Sequence, residues 1–110
     1  MPIVMPDVIN RYFETDARRD TVAMLALFTN DAEVVDEGAT RRGKEEIRAW
    51  RDGPVSQYEY TTELFEARSA EGKGYVVRGR ISGNFPGGTA DLTWRFTLAG
   101  DQSVRLEIAP

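Results

Sequence analysis

Neither cysteine nor histidine occurs among the 110 residues of the chain. Without cysteine there is no disulfide, no thiol nucleophile and no thiolate metal site. Without histidine, the commonest general base, the serine–histidine–aspartate arrangement and imidazole metal ligation are excluded. The usual zinc ligand sets go with them. Acid–base chemistry must therefore rest on Asp, Glu, Tyr, Lys or Arg, and no metal site or other cofactor is expected. No apolar run approaches the ~20 residues of a membrane span. The opening stretch MPIVMPDV has neither the basic nor the apolar region of a secretory signal, so a cytoplasmic protein without a membrane partner is expected. Repeats, low-complexity tracts and linkers are lacking too, and the length suits one domain over residues 1–110. Basic residues number 14 against 18 acidic, a net charge of −4, which argues against a nucleic-acid partner.

What is present is periodicity. Met5, Val8, Ile9, Tyr12, Phe13 and Asp16 fall on one face of an amphipathic helix that ends in a polar residue. Pro6 suits its first turn, Asp7 complements its dipole, and the polar run DARRD at 16–20 is expected to break it. Asp20 can cap a second helix, TVAMLALF, that stops at Asn30-Asp31. A strand AEVVD follows, then a short extended piece from Ala39 to Arg42. Gly43 precedes a third helix, KEEIRAWRD, which Asp52-Gly53-Pro54 ends.

The second half alternates with the period of strands. One row runs Tyr58, Tyr60, Thr62, Leu64; the next, after the turn EGKG, runs Tyr75, Val77, Gly79, Ile81. Beyond the loop NFPGG come Leu92, Trp94, Phe96, Leu98, and beyond AGDQ come Val104, Leu106, Ile108. Loops this short imply antiparallel neighbours. A first hairpin centred near Ala70 and Glu71 puts Glu63 opposite Arg78, and turns inside NFPGG and AGDQ put Arg80 opposite Asp91 and Arg95 opposite Glu107. Each outer pair then has opposite charge and each inner row is apolar. A sheet with one apolar and one charged face, preceded by three helices, is an α+β layer architecture.

This order of elements, with VINRYF at 8–13, MLALFTNDAEVVDEG at 24–38, RRGKEEIRAW at 41–50 and DLTWRFTLAGD at 91–101, resembles the nuclear transport factor 2-like superfamily. Within it the chain is similar to the SnoaL-like branch and to ketosteroid isomerases. The resemblance implies a cystatin-like cone: three N-terminal helices packed on a curved antiparallel sheet that encloses a pocket. It also implies a homodimer formed through the sheet face. On the same grounds Tyr12 resembles the helix tyrosine of ketosteroid isomerases, which donates a hydrogen bond to an enolate oxygen, and Asp36 resembles their catalytic aspartate, which shuttles the proton. The isomerases' second oxyanion donor, a protonated aspartic acid on a late strand, falls here at Leu92, and Asp91 beside it points to the opposite face.

Asp36 also invites a reading from the residues alone. In AEVVDEG, the face that carries Ala32 and Val34 ends in Asp36, so this carboxylate either heads a turn with Glu37 and Gly38 or stands in a pocket wall. Tyr12 is either a core aromatic or a hydrogen-bond donor. Trp50 and Trp94 are expected as core and pocket wall. Tyr58 and Tyr60 face the same way, and either fill the cone or, with Leu92, line a cavity suited to a small apolar or aromatic ligand. Glu45 and Glu46 serve the third helix's dipole, and Arg41 and Arg42 are solvated or edge the mouth. Two functions fit: a small-molecule-binding enzyme of cofactor-free proton transfer (isomerase, dehydratase or cyclase) with Asp36 as base and Tyr12 as donor, or a non-catalytic binding or association module.

Overall fold

In the computed structural model, which describes residues 4–53 and 55–110, three helices precede most of a six-stranded sheet. Helix α1 (Asp7–Arg18) starts after Pro6, whose missing N–H is no loss at a helix start, and carries Asp7 in its first turn. It continues into the DARRD run rather than breaking there, so Asp16 lies in its last turn. Arg19, with φ of 56°, closes it by donating its N–H to Asp16 O at 3.1 Å. Helix α2 (Thr21–Leu25) is capped by Asp20, whose carboxylate accepts from the Ala23 N–H at 3.1 Å. Helix α3 (Gly43–Asp52) begins where Glu46 accepts from the Arg42 N–H at 2.9 Å. Gly53 caps its end, and Pro54 lies outside the described residues.

Strand β1 (Phe28–Asp36) and β2 (Ala39–Arg42) form a hairpin across Glu37 and Gly38, both with positive φ (53° and 76°), as a tight hairpin turn requires. Strands β3 (Tyr60–Ala70), β4 (Gly74–Gly83), β5 (Thr89–Ala99) and β6 (Gln102–Ala109) follow as an antiparallel meander, and the sheet order is β2-β1-β6-β5-β4-β3. β6 lies parallel to β1, which closes the sheet over the helices.

Three local expectations change. Phe28 belongs to β1 and not to the second helix. The Ser103 N–H donates to Leu27 O at 2.7 Å and the Gln102 side chain to Phe28 O at 3.2 Å, so pairing with β6 overrides local helix propensity. Tyr58 precedes β3, following a 3-10 turn at Val55–Gln57. Glu63 faces Arg80, and Glu66 faces Arg78, because the hairpin turns about Gly72 rather than about Ala70 and Glu71, and a bulge at Phe65 then slips the pairing by one residue. Arg80 opposite Asp91 and Arg95 opposite Glu107 are as expected. Further register shifts interrupt β1 and the β5–β6 ladder, and bulges of this kind bend and twist a sheet into a curved wall.

The inner rows meet the helices. Val34, Val77, Trp94, Phe96 and Leu106 are buried against Ile9, Tyr12, Met24, Phe28, Ile47 and Trp50 in one core. The result is the α+β cone with helices on the apolar face of the curved sheet. The outer face carries the ion pair Arg80–Asp91 at 2.6 Å, and Asp91 is exposed on it.

Candidate active site

The apolar rows do not fill the cone completely. A cavity of about 690 Å³ remains between the C-terminal ends of α1 and α3 and the inner faces of β4, β5 and β6. Tyr12, Asp36, Trp50, Tyr58, Tyr60, Leu92 and Trp94 all line it. All the side chains singled out from the sequence as catalytic or pocket-lining thus face one space.

Each polar group is positioned by apolar neighbours. Tyr12 is held edge-on by Phe13, Phe28 and Phe96, with ring centroids 5.1, 6.4 and 5.4 Å away. No side chain among the described residues bonds its hydroxyl. Burial, reinforced by the charge of Asp16, holds the Tyr12 phenol well above its ordinary pKa, so it remains a donor. Asp36 sits at the end of β1 immediately before the Glu37-Gly38 turn, and its side chain turns inward: Trp50 Nε1 donates to Oδ2 at 3.0 Å. The Arg41 guanidinium secures the same corner from outside, donating to the Asp36 backbone oxygen at 3.1 Å. Arg42 pairs with Glu33 at 2.6 Å, away from the cavity. Leu92 is in the wall where an isomerase-like arrangement would place an acid, and Asp91 is on the far face bound to Arg80.

Two lining residues escaped the sequence reading as site residues. Asp16 and Arg51 form an ion pair at 2.7 Å with side chains 8% and 2% exposed, and Tyr60 donates to the same carboxylate oxygen, Asp16 Oδ1, at 2.7 Å. Burial and this bond push the Tyr60 phenol up to about 12. Tyr60 therefore spends its proton on Asp16, whereas the Tyr12 hydroxyl does not. Arg51 Nε is buried with no hydrogen-bond partner among the described residues. The signal for Asp16 was its place at the end of the apolar stripe, one turn beyond Tyr12. The signal for Arg51 was its i+4 spacing from Ile47, which puts it on the buried face of α3 beside Trp50. Val55, Phe85 and the last residues, Ile108 to Pro110, complete the wall.

At one side the cavity thus presents a carboxylate anchored by an indole N–H, a free phenol and a buried guanidinium. Asp16, paired with that guanidinium, and Glu37 also line it, and most of the remainder is aromatic and aliphatic. Such a space can hold a flat apolar molecule, orient a carbonyl group and exchange a proton with it. Among the described residues, no cluster of acidic, histidine or cysteine side chains is grouped to hold a metal ion. No helix of the described residues is long and apolar enough to cross a membrane.

No curated protein matches the chain. Among solved structures, a Sinorhizobium meliloti protein named as a candidate polyketide cyclase is 37% identical over 96% of this chain and 95% of its own, with a TM-score of 0.89. A Catenulispora acidiphila protein with a ketosteroid isomerase-like fold, in complex with trimethylamine, is 18% identical over 97% of this chain and 87% of its own, with a TM-score of 0.85. SalBIII, an epoxide hydrolase/cyclase-like enzyme in pyran ring formation in the polyether salinomycin, is 20% identical over 93% of this chain and 86% of its own, with a TM-score of 0.80. At their lower identities the last two speak for the fold alone. The SnoaL-like domain family matches residues 9–106. With that match spanning nearly the whole chain, the protein belongs to the SnoaL-like domain family.

Proposed function

We propose that the chain is a cofactor-free proton-transfer enzyme that acts on a small, flat, enolisable carbonyl compound. The observation that carries this reading is the Asp36 carboxylate, bound by Trp50 Nε1 at 3.0 Å on one oxygen and lining the same cavity as the free Tyr12 hydroxyl. Asp36 Oδ1 takes the proton from carbon next to the carbonyl. The C–H electron pair becomes the enolate double bond, and the carbonyl π pair moves to oxygen, where the Tyr12 O–H donates to it. Where the ligand carries a double bond β,γ to the carbonyl, Asp36 returns the proton to the γ carbon, the β,γ electron pair forms the new C–H bond, the enolate pair becomes the α,β double bond and the oxygen pair re-forms the carbonyl, which is isomerisation. Alternatively, the enolate carbon attacks a second carbonyl carbon of the same molecule and Asp36 protonates the new alkoxide, which is an aldol-type cyclisation. Neither route needs an oxidant, reductant or co-reactant. The 37% identity to a candidate polyketide cyclase favours the second.

The test uses hydrogen–deuterium exchange at carbon, followed by NMR for a panel of cyclic and aryl ketones in D2O. The wild type is expected to accelerate exchange for at least one member. Asp36→Asn is expected to lower that rate at least 100-fold while leaving ligand affinity within a few-fold, as a lost base should. Exchange that survives Asp36→Asn removes the base role. Ligand binding without exchange by the wild type favours the non-catalytic module, for which the leucine at position 92 is the supporting observation. The charged outer sheet face is the surface proposed for pairing with a second copy, and sedimentation of the purified chain tests it.

A further inference from the structure

We propose that Arg51 is the second oxyanion donor of the cavity, acting with Tyr12, and that the ligand is a compound whose oxygen becomes, or already is, an anion: an enol or a phenol. This deepens the proposed proton transfer and rests on it for the catalytic meaning, though not for the binding.

The geometry carries the assignment. An enolate needs donors fixed where its charge develops, and removal of one such donor costs on the order of 100- to 1000-fold in rate. Tyr12 supplies one. The strand position that would supply another is Leu92, which has nothing to donate. Tyr60 has a hydroxyl in the wall, but its proton is committed to Asp16 at 2.7 Å. Arg51 is left. It lines the cavity, is buried and permanently charged, and among the described residues has one counter-ion contact, Nη1 to Asp16 Oδ1.

A purely structural arginine would be a poor use of this position. The attraction within a buried ion pair does little more than offset its desolvation cost, and a buried N–H without a partner among the described residues, such as Arg51 Nε, adds to that cost. A guanidinium held in a cavity wall is instead ready-made for negative charge on oxygen. Its field already acts on the Tyr12 hydroxyl in the required sense: it favours the ionised form there, against burial and the charge of Asp16, which prevail. The same field acts on a ligand oxygen lodged beside that hydroxyl. Consecutive residues of α3 then divide the work, with Trp50 fixing the base and Arg51 receiving the charge.

The experiment titrates 4-nitrophenol into the wild type, Arg51→Lys, Arg51→Met and Asp16→Asn/Arg51→Met. Nitrophenolate absorption reports the ionisation of the bound ligand across pH. Circular dichroism establishes that each protein is folded, and the double variant removes the stranded Asp16 charge if Arg51→Met alone fails to fold. The wild type is expected to bind the phenolate at least tenfold more tightly than the phenol, lowering the ligand's apparent pKa by about one unit. Arg51→Lys should retain part of this preference, and the two variants without a cation should lose it while still binding the neutral phenol. Folded variants lacking Arg51 that prefer phenolate as strongly as the wild type overturn the proposal. So does a wild type that binds only the neutral form or neither form. The readout involves no proton transfer by Asp36, so loss of the base role in the exchange assay and loss of the anion preference here are separate results.

Discussion

The buried pair Asp16–Arg51 yields the sharpest stability prediction. Both residues are nearly sealed from water, 7% and 4% exposed, and their charges are 2.7 Å apart. Arg51→Met keeps an unbranched side chain of similar reach but strands a buried carboxylate that, among the described residues, keeps only the Tyr60 hydroxyl as a partner. Asp16→Asn strands the guanidinium, whose Nε already lacks a partner among the described residues. Removing one member of such a pair costs about 3–5 kcal/mol. A 110-residue chain has a total stability of roughly 6–16 kcal/mol, so either change takes away a large share. With a urea dependence of about 1.5 kcal/mol per molar, the midpoint should fall by about 2–3 M. The double variant Asp16→Asn/Arg51→Met holds no stranded charge. It should be less destabilised than the sum of the single changes by roughly 2–3 kcal/mol. Urea unfolding of the four proteins, followed by tryptophan fluorescence and circular dichroism, closes the cycle. Additivity within ~0.5 kcal/mol would refute the reasoning, because the two charges would then not depend on each other.

Other consequences can be checked with the same methods. Tyr60 has its pKa raised from 10.0 to about 12 in the fold, so between these values the unfolded chain releases a proton that the folded chain keeps. Stability from this group is complete below pH 10 and is lost as pH rises through 12, an effect of about 2–3 kcal/mol. Tyr60→Phe should therefore flatten the alkaline limb of a stability–pH profile measured by urea unfolding. It should not abolish that limb, since Tyr12 titrates in the same direction. Gly79→Ala should destabilise by about 1–3 kcal/mol in thermal unfolding, because its Cβ would lie 2.4 Å from the Glu63 carbonyl oxygen on rigid backbone. Asp20→Ala removes the cap on α2 and should cost about 1 kcal/mol by the same measurement, with no change in ligand binding.

Much of the fold was legible because it is written in local periods. The 3.6-residue stripe of Val8, Ile9, Tyr12 and Phe13 and the two-residue alternation of Leu92, Trp94 and Phe96 each point one face inward whatever the neighbours are. The charge pairs Arg80–Asp91 and Arg95–Glu107 followed from turn positions in the same way. The departures come from partners distant in sequence. Phe28 joins a strand because β6 offers it hydrogen bonds, and a bulge at Phe65 puts Glu63 opposite Arg80 where an unbroken ladder from the turn at Gly72 would put it opposite Ile81. Neither is encoded in a window of neighbours.

For the cavity the division is similar. That Asp36 continues the inward face of Ala32 and Val34 is a property of strand geometry, and the sequence alone determined it. Whether that carboxylate would serve the following turn or the cavity depended on α3 crossing the strand end and bringing the Trp50 indole N–H to it at 3.0 Å. The pairing of Asp16 with Arg51 and Tyr60 joins residues 35 and 44 positions apart, from α1, α3 and β3. Each appears separately as a polar or aromatic residue on an apolar face. Only packing removes water from all three together, and that loss of solvent turns ordinary surface-type groups into a fixed, charged wall for the cavity.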